Sequence, residues 1–270
     1  MHMGKLLKKD KTLSAIRQAK RYAFLSSLGI LSPASGRCLL CGDERASLMW
    51  GGLCEECSRD IIPNAGGTCE KCGRQLIAEE KYCETCRERE RCFDRAYSCF
   101  VYEGAARQLV TRFKYGKAPY IARQMADDMA NLYIEADLSC SVIVPSPSSL
   151  ERIKERGYDH IAVLSEILSK YIRIPVVYGA VVKKKDNRAQ AGLKGREREE
   201  NVQGVYAKGE NWERLKGAYV LIVDDVLTTG ATASAIAEIA KKCGAKGVKV
   251  LTFASTRYSA VQSGGEREEL

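Results

Sequence analysis

Two patterns of apolar and polar positions divide the chain. From about residue 95 onward, apolar runs of strand length alternate with stretches of helical periodicity. Residues 105–114 and 119–135 repeat apolar side chains at helical spacing. Ser141–Val144 reads as a short buried strand ending at Pro145-Ser146-Pro147, and Tyr158–Tyr171 is predicted helical with Ile161, Leu164, Ile167 and Leu168 on one face. Ile174–Val182 reads as a β-branched strand. Tyr219–Val223 is apolar throughout, the pattern of a parallel sheet covered on both faces. A helix is predicted from Thr232, with Lys241 and Lys242 in its last turn and Gly244 as its stop. Val248–Ala254 is the closing strand. This alternation predicts an α/β domain over residues 93–258, with ligand chemistry at the carboxyl ends of its strands.

Before that domain the periodicity gives way to cysteines. Cys38-x-x-Cys41 and Cys54-x-x-Cys57 stand twelve residues apart, and Cys69-x-x-Cys72 and Cys83-x-x-Cys86 ten. Glycine follows Cys41 and Cys72, where a knuckle must turn to aim backbone N–H groups at sulfur. Four such pairs are the spacing of zinc ligands, two knuckles to each tetrahedral ion. Sequential pairing puts one Zn²⁺ on Cys38, Cys41, Cys54 and Cys57 and a second on Cys69, Cys72, Cys83 and Cys86; a cross-braced arrangement uses the same residues. Either way four thiolates close the coordination sphere, so the metal is expected to hold the module at 32–92 together rather than to catalyse. Cys92, Cys99, Cys140 and Cys243 have no partner at ligand spacing and read as core residues.

Composition adds less. Knuckle spacing in place of a disulfide framework, with no secretory signal, predicts a reducing cytoplasmic setting. No apolar run approaches the roughly 18 residues of a membrane span. The net charge of +9 favours polyanionic partners. Much of it lies in residues 1–31, where Lys5, Lys8, Lys9, Lys11, Arg17, Lys20 and Arg21 face only Asp10, a basic segment with helical spacing. Residues 259–270 are read as a flexible tail.

The densest chemistry lies in Val220-Leu-Ile-Val-Asp-Asp-Val-Leu-Thr-Thr-Gly-Ala-Thr232. An apolar strand delivers Asp224 and Asp225 to a short hydroxyl-rich loop, and a helix follows. Backbone N–H groups over Thr228, Thr229, Gly230, Ala231 and Thr232, with the helix's positive end, can surround a phosphate. The threonine hydroxyls add donors, and Gly230 removes the side chain at closest approach. The two acids suit vicinal ribose hydroxyls and the waters of a Mg²⁺ ion. A Walker A loop is not present.

This stretch resembles the phosphoribosyl pyrophosphate (PRPP) signature of the type I phosphoribosyltransferases. The resemblance implies PRPP binding by Asp224, Asp225, Leu227 and Thr228–Thr232, with Asp224 and Asp225 as the catalytic acids. It places a pyrophosphate loop at Pro145–Ser149, including Ser146, with Arg152, Lys154 and Arg156 close behind. The polar stretch 183–203, rich in lysine and arginine, reads as a lid.

The chain as a whole resembles the ComF (ComFC) competence proteins, which join a double zinc ribbon to a phosphoribosyltransferase domain. The residues carrying this are the four knuckles, Phe113-Lys114-Tyr115, Val144-Pro-Ser-Pro147, Arg152…Arg156-Gly157-Tyr158, Arg188-Ala-Gln190…Arg196-Glu-Arg198…Asn201-Val202 and Asp224–Thr232. One departure stands out: the family's usual Arg-Gly-Phe-Asn-Gln is here Arg156-Gly157-Tyr158-Asp159-His160. His160 is read first as a helix-start residue and second as a replacement for glutamine.

The family implies cytoplasmic handling of incoming single-stranded DNA in natural transformation, with PRPP as ligand; a separate reading makes the zinc region a docking surface for a DNA-translocating ATPase. As an enzyme it would displace pyrophosphate at ribose C1. Purine-salvage relatives carry an aspartate general base in the phosphate loop, where this chain has Thr228, and a glutaminase domain with an N-terminal nucleophilic cysteine is not present. Three readings stay open: a transferase of unidentified acceptor in competence, a non-catalytic DNA-binding module regulated by PRPP, and an active phosphoribosyltransferase of nucleotide metabolism.

Overall fold

A computed structural model describes residues 36–44, 48, 52–76, 80–116, 118–184 and 204–258. The N-terminal basic segment, the body of the expected lid at 185–203 and the tail from 259 lie outside the described residues.

The expected elements, apart from the strand at 174–182, fall close to their places, and several short ones join them. In the larger domain they are β1 (Arg95–Val101), α3 (Gly104–Tyr115), α4 (Ile121–Glu135), β2 (Val142–Pro145), α5 (Leu150–Arg156) and α6 (His160–Ile172). Then come β3 (Val181–Lys183), β4 (Tyr206–Lys208), a 3₁₀ turn (Trp212–Leu215), β5 (Tyr219–Leu227), α7 (Ala231–Lys242) and β6 (Gly247–Ser255). In the cysteine module α1 (Glu55–Arg59) and α2 (Glu84–Glu88) are single turns after knuckle cysteines.

β1, β6, β5 and β2 lie side by side in that order, every pairing parallel. Alternation along β5 sends Leu221 and Val223 to one face, with Ile143, Leu251 and Phe253, under α3, α4 and α6. Val220 and Ile222 go to the other, with Val142, Val144, Val248 and Val250, against Ala233, Ile236, Ala237 and Ala240 of α7. That double cover is why these strands are apolar without a polar face.

Ile174–Val182 is not one strand. Val176 makes a single parallel bridge to Ile143 at the outer edge of β2, and the chain then turns at Gly179 with φ +66°. Val181–Lys183 pairs antiparallel with β4, forming a separate ribbon whose open end leads into 185–203. A glycine inside a β-branched run was the signal for that break.

The cysteine module closes the opposite edge. Asn64 donates its N–H to Cys99 O at 2.9 Å, Val101 to Ile62 O at 2.9 Å, and Ala96 to Lys71 O at 2.9 Å, so the linker between the knuckle sets covers the free side of β1. The two sets straddle that edge. Cys38, Leu53 and Cys54 join the core beneath α3 and α4, whereas Cys69, Cys72 and Cys83 join the core beneath α7.

Gly73 marks the tightest point of this docking. Its φ is +69°, and a Cβ there would lie 2.4 Å from the Ala96 carbonyl oxygen on β1. Gly73→Ala is expected to cost about 2 kcal/mol or more, strain and overlap together. Thermal unfolding checks this; an unshifted midpoint would mean the linker is not held against β1.

Candidate functional site: paired acids, a phosphate loop and two thiolate clusters

The thiolate clusters are sequential. Cys38, Cys41, Cys54 and Cys57 bring their sulfurs within 4.8 Å of one another, as do Cys69, Cys72, Cys83 and Cys86. The cross-braced alternative is therefore set aside. Cys41 and Cys54 sulfurs are 3.7 Å apart, as are those of Cys72 and Cys83. A tetrahedron with Zn–S bonds of about 2.3 Å has edges of about 3.8 Å, so the donor sets fit zinc.

Backbone N–H groups point at the sulfurs: Leu40 and Cys54 to Cys38 Sγ at 3.4 and 3.3 Å, Cys72 and Cys83 to Cys69 Sγ at 3.5 and 3.4 Å. The second cluster also has Arg74, only 5% exposed, which donates to Cys72 Sγ at 3.5 Å and Cys83 Sγ at 3.6 Å. Four thiolates around Zn²⁺ carry a net −2, and a buried guanidinium offsets part of it. Arg74 in turn lies over the Tyr258 ring at 5.4 Å, tying the cluster to the end of the larger domain.

The second site forms where β2 ends against β5. Register pairs Val223 with Pro145, so the loop after β2 leaves beside the last residues of β5, which runs on to Leu227. Ser146 donates its N–H to Val223 O at 2.9 Å and its side chain hydrogen-bonds Asp224. Asp224 and Asp225 lie near the carboxyl end of β5, the former half-buried and the latter buried. Leu227 is buried, Thr228 exposed and Thr229 half-buried. Gly230, at φ +78°, turns the chain into α7, so a side chain there would be strained. Thr229 Oγ1 accepts from Ala231 N–H at 3.3 Å, and Thr232 shares a hydrogen bond with Tyr206 of β4. The first N–H groups of α7 follow directly on this loop, donors of the kind that suit an anion. Arg152 stands exposed in the first turn of α5, where Ser149 Oγ caps its N–H at 3.3 Å.

Three residues outside the expected site set complete the geometry. Lys114 Nζ is 3.0 Å from Asp225 Oδ1, and His160 Nε2 is 2.9 Å from Asp225 Oδ2. Tyr206 reaches the α7 start. His160 does begin α6, as its first reading held, with Asp159 as the N-cap accepting from Ile161 and Ala162. Its ring nevertheless turns inward to the acid. Phe113-Lys114-Tyr115 belongs to the family resemblance, but nothing local gives Lys114 a role, because a lysine near a helix end reads as solvated.

The two acids have different environments. Burial and the charge of Asp225 push Asp224 up to about 7, against the Lys114 charge and hydrogen bonds from Asp225 N–H and Ser146. Burial acts the same way on Asp225, but the His160 hydrogen bond and the Lys114 ammonium outweigh it and hold that carboxyl below the usual range. Burial works against the Lys114 ammonium, yet Asp225 keeps its pKa above the ordinary lysine value.

The raised Asp224 has a consequence for stability. The folded protein keeps a proton that the unfolded chain releases near 3.8, so this contribution is present in acid and is lost as pH rises toward about 7. Asp224→Asn removes it. Wild type should therefore lose stability relative to Asp224→Asn between about pH 4 and 7, with a constant difference above that, by urea unfolding. A difference that is flat across that range would show Asp224 to be an ordinary carboxylate.

A parallel sheet covered on both faces, with two acids and a hydroxyl-glycine loop running into a helix, defines a phosphoribosyltransferase-type domain, here joined to a double zinc ribbon. The phosphoribosyl transferase domain family matches residues 162–265 and the double zinc ribbon domain family residues 28–87. Competence protein F of Haemophilus influenzae is 26% identical over 221 residues, covering 79% of this chain and 94% of that one. The DNA utilization protein YhgH of Escherichia coli is 24% identical over 234 residues, 82% and 97%. Competence protein ComFC of Bacillus subtilis is 27% identical over 154 residues, 56% and 60%. The chain thus joins the two domains and is similar over about four-fifths of its length to competence protein F and to the DNA utilization protein YhgH. Among the described residues no helix is long and apolar enough to cross a membrane.

Proposed function

We propose that this chain binds PRPP with Mg²⁺ in the cleft between the β2 and β5 loops, and uses it in handling single-stranded DNA during natural transformation. The observation that carries the reading is the run from Asp224 and Asp225 through Thr228–Gly230 into α7, beside the Ser146 loop. The phosphate of PRPP would sit on the Thr228–Thr232 cradle, its ribose hydroxyls on Asp224 and Asp225, and its pyrophosphate near Ser146, Arg152 and Arg156. Mg²⁺ would be held by the ligand's own oxygens and by water on Asp224, neutralising the pyrophosphate as a leaving group.

The DNA role takes its support from the relatives, one called a competence protein and another a DNA utilization protein. The zinc ribbons and the thiols suit a reducing cytoplasm, and a DNA-translocating ATPase is the natural protein partner. A second reading, a DNA-binding module that senses PRPP without turnover, is favoured by Thr228. That side chain stands exposed where a base-activating carboxylate would serve a transferase.

Calorimetry with Mg-PRPP tests the site. Wild type should bind, more tightly as pH rises through about 7 and Asp224 ionises. Asp224→Asn/Asp225→Asn should lose binding by about two orders of magnitude or more. Equal affinity of wild type and double mutant would end the assignment. Pyrophosphate release in the presence of single-stranded DNA or a nucleobase then separates transferase from sensor.

A further inference from the structure

Asp225 sits at the centre of a closed ring of contacts. One of its oxygens takes Lys114 from the end of α3, the other takes His160 from the start of α6. The next residue of α3, Tyr115, lies under the guanidinium of Arg156 at 5.2 Å. Arg156 Nη1 is 2.9 Å from His160 Nδ1 and 3.3 Å from its Nε2, which closes the ring. Tyr158 ties the same two elements together by donating its hydroxyl to the Phe113 carbonyl. His160 is 5% exposed and its ring packs against Phe113 at 5.6 Å, so it has little freedom to turn away.

The partners set the sense of these contacts. A guanidinium has no acceptor, so Arg156 can only donate to the ring, and its Nη1 lies nearer Nδ1 than Nε2. The Asp225 carboxylate can only accept, so Nε2 supplies the N–H of that contact. With Nε2 given to Asp225, Nδ1 is the ring nitrogen left to receive, and the imidazole relays from Arg156 to Asp225.

We propose that His160 is a positioning residue that couples the two poles of the ligand cleft. It aims the Asp225 carboxylate at the sugar side and holds Arg156, parked on Tyr115, ready for the pyrophosphate side. This rests on the reading of the cleft as a PRPP site. An arriving pyrophosphate takes Arg156 away from Nδ1, while the Nε2–H bond keeps Asp225 in place. The residue type follows from the donor pattern. Glutamine offers the same pair, a carbonyl to accept and an N–H to donate, whereas leucine fills the space with neither.

Two measurements on the full-length, zinc-loaded protein test the proposal. In the first, Mg-PRPP affinity is compared for wild type, H160Q and H160L, with thermal unfolding confirming that each is folded. H160Q should stay near wild type and H160L should fall about 10- to 100-fold, the usual effect of losing an orienting partner. H160L binding as wild type, or H160Q falling as far as H160L, would overturn the relay and leave His160 as packing against Phe113. In the second, ¹⁵N NMR of the imidazole reads the tautomer directly. A pyridine-type Nδ1 with a protonated Nε2 supports the relay; a protonated Nδ1 overturns it. Should wild type bind no Mg-PRPP, the ligand reading of the cleft fails, and the coupling of its poles with it. The tautomer would then decide the Arg156–His160–Asp225 geometry alone.

Discussion

Removing zinc from the second cluster, by chelation or by Cys72→Ser, should destabilise the phosphoribosyltransferase domain and not only the ribbon. Cys69, Cys72 and Cys83 are fully buried and share a core with Phe93, Val250 and Ile236 of the larger domain. Arg74 is buried against two of those sulfurs. Without the ion the pocket must hold thiols that repel or protonate, beside an arginine whose counter-charge has gone. Breaking a buried charge arrangement of this kind costs about 3–5 kcal/mol, within a structural zinc contribution of about 10 kcal/mol or more. The linker that covers β1 is anchored by the same residues, so its loss bares a sheet edge and invites aggregation. The first cluster is more open, with Cys41 exposed. Titration with a chelator and a zinc-sensitive dye should release two equivalents in two phases, the first before any change in the far-ultraviolet spectrum. An unchanged unfolding midpoint for Cys72→Ser would show that the ribbon is a passenger.

Lys114→Met should cost about 3 kcal/mol at neutral pH, the penalty for leaving a buried carboxylate without its cation. Asp225 is 3% exposed, and among the described residues Lys114 and His160 are the side chains paired with its carboxylate. Methionine keeps the stem's volume, so packing is not the variable. The pH dependence gives the diagnosis. Asp225 has a folded pKa below its ordinary value, so its stabilisation is present above about 4 and fades as pH falls through the folded value. The gap between wild type and Lys114→Met should therefore be widest near neutrality and close in acid. A gap that persists at low pH would locate the defect in packing against Tyr102 and Phe113 instead. If the cleft takes PRPP as proposed, Mg-PRPP affinity should fall as well, because Asp225 would be displaced from the ribose side.

Much of this was legible in order along the chain. Tyr219–Thr232 combines an apolar strand, two acids, a hydroxyl loop and a glycine within fourteen residues, and every part of that signal is local. The knuckles carry their chemistry in a fixed spacing for the same reason. β1 escaped notice because its outer side meets the ribbon linker. Arg95 is exposed and Tyr97 and Cys99 half-buried, so the run lacks the continuous apolar character of β5. α5 was missed because seven residues bury nothing; its polar sequence holds a helix through the Ser149 cap.

Local sequence therefore settled the ingredients: which metal the cysteines suit, which strand carries the paired acids, where a glycine turns the chain into a helix. It did so because ligand spacing, capping and a glycine turn depend on residues a few positions apart. Assembly was decided elsewhere. Lys114 and Asp225 are far apart in the chain and meet only because α3 and β5 end at one rim. Pairing of the knuckles, the straddling of β1, and the inward turn of His160 also needed the packed sheet. In the unfolded chain the two acids of the tandem are near-equivalent. Burial, a lysine and an imidazole brought in from other elements make one hold its proton and the other give it up.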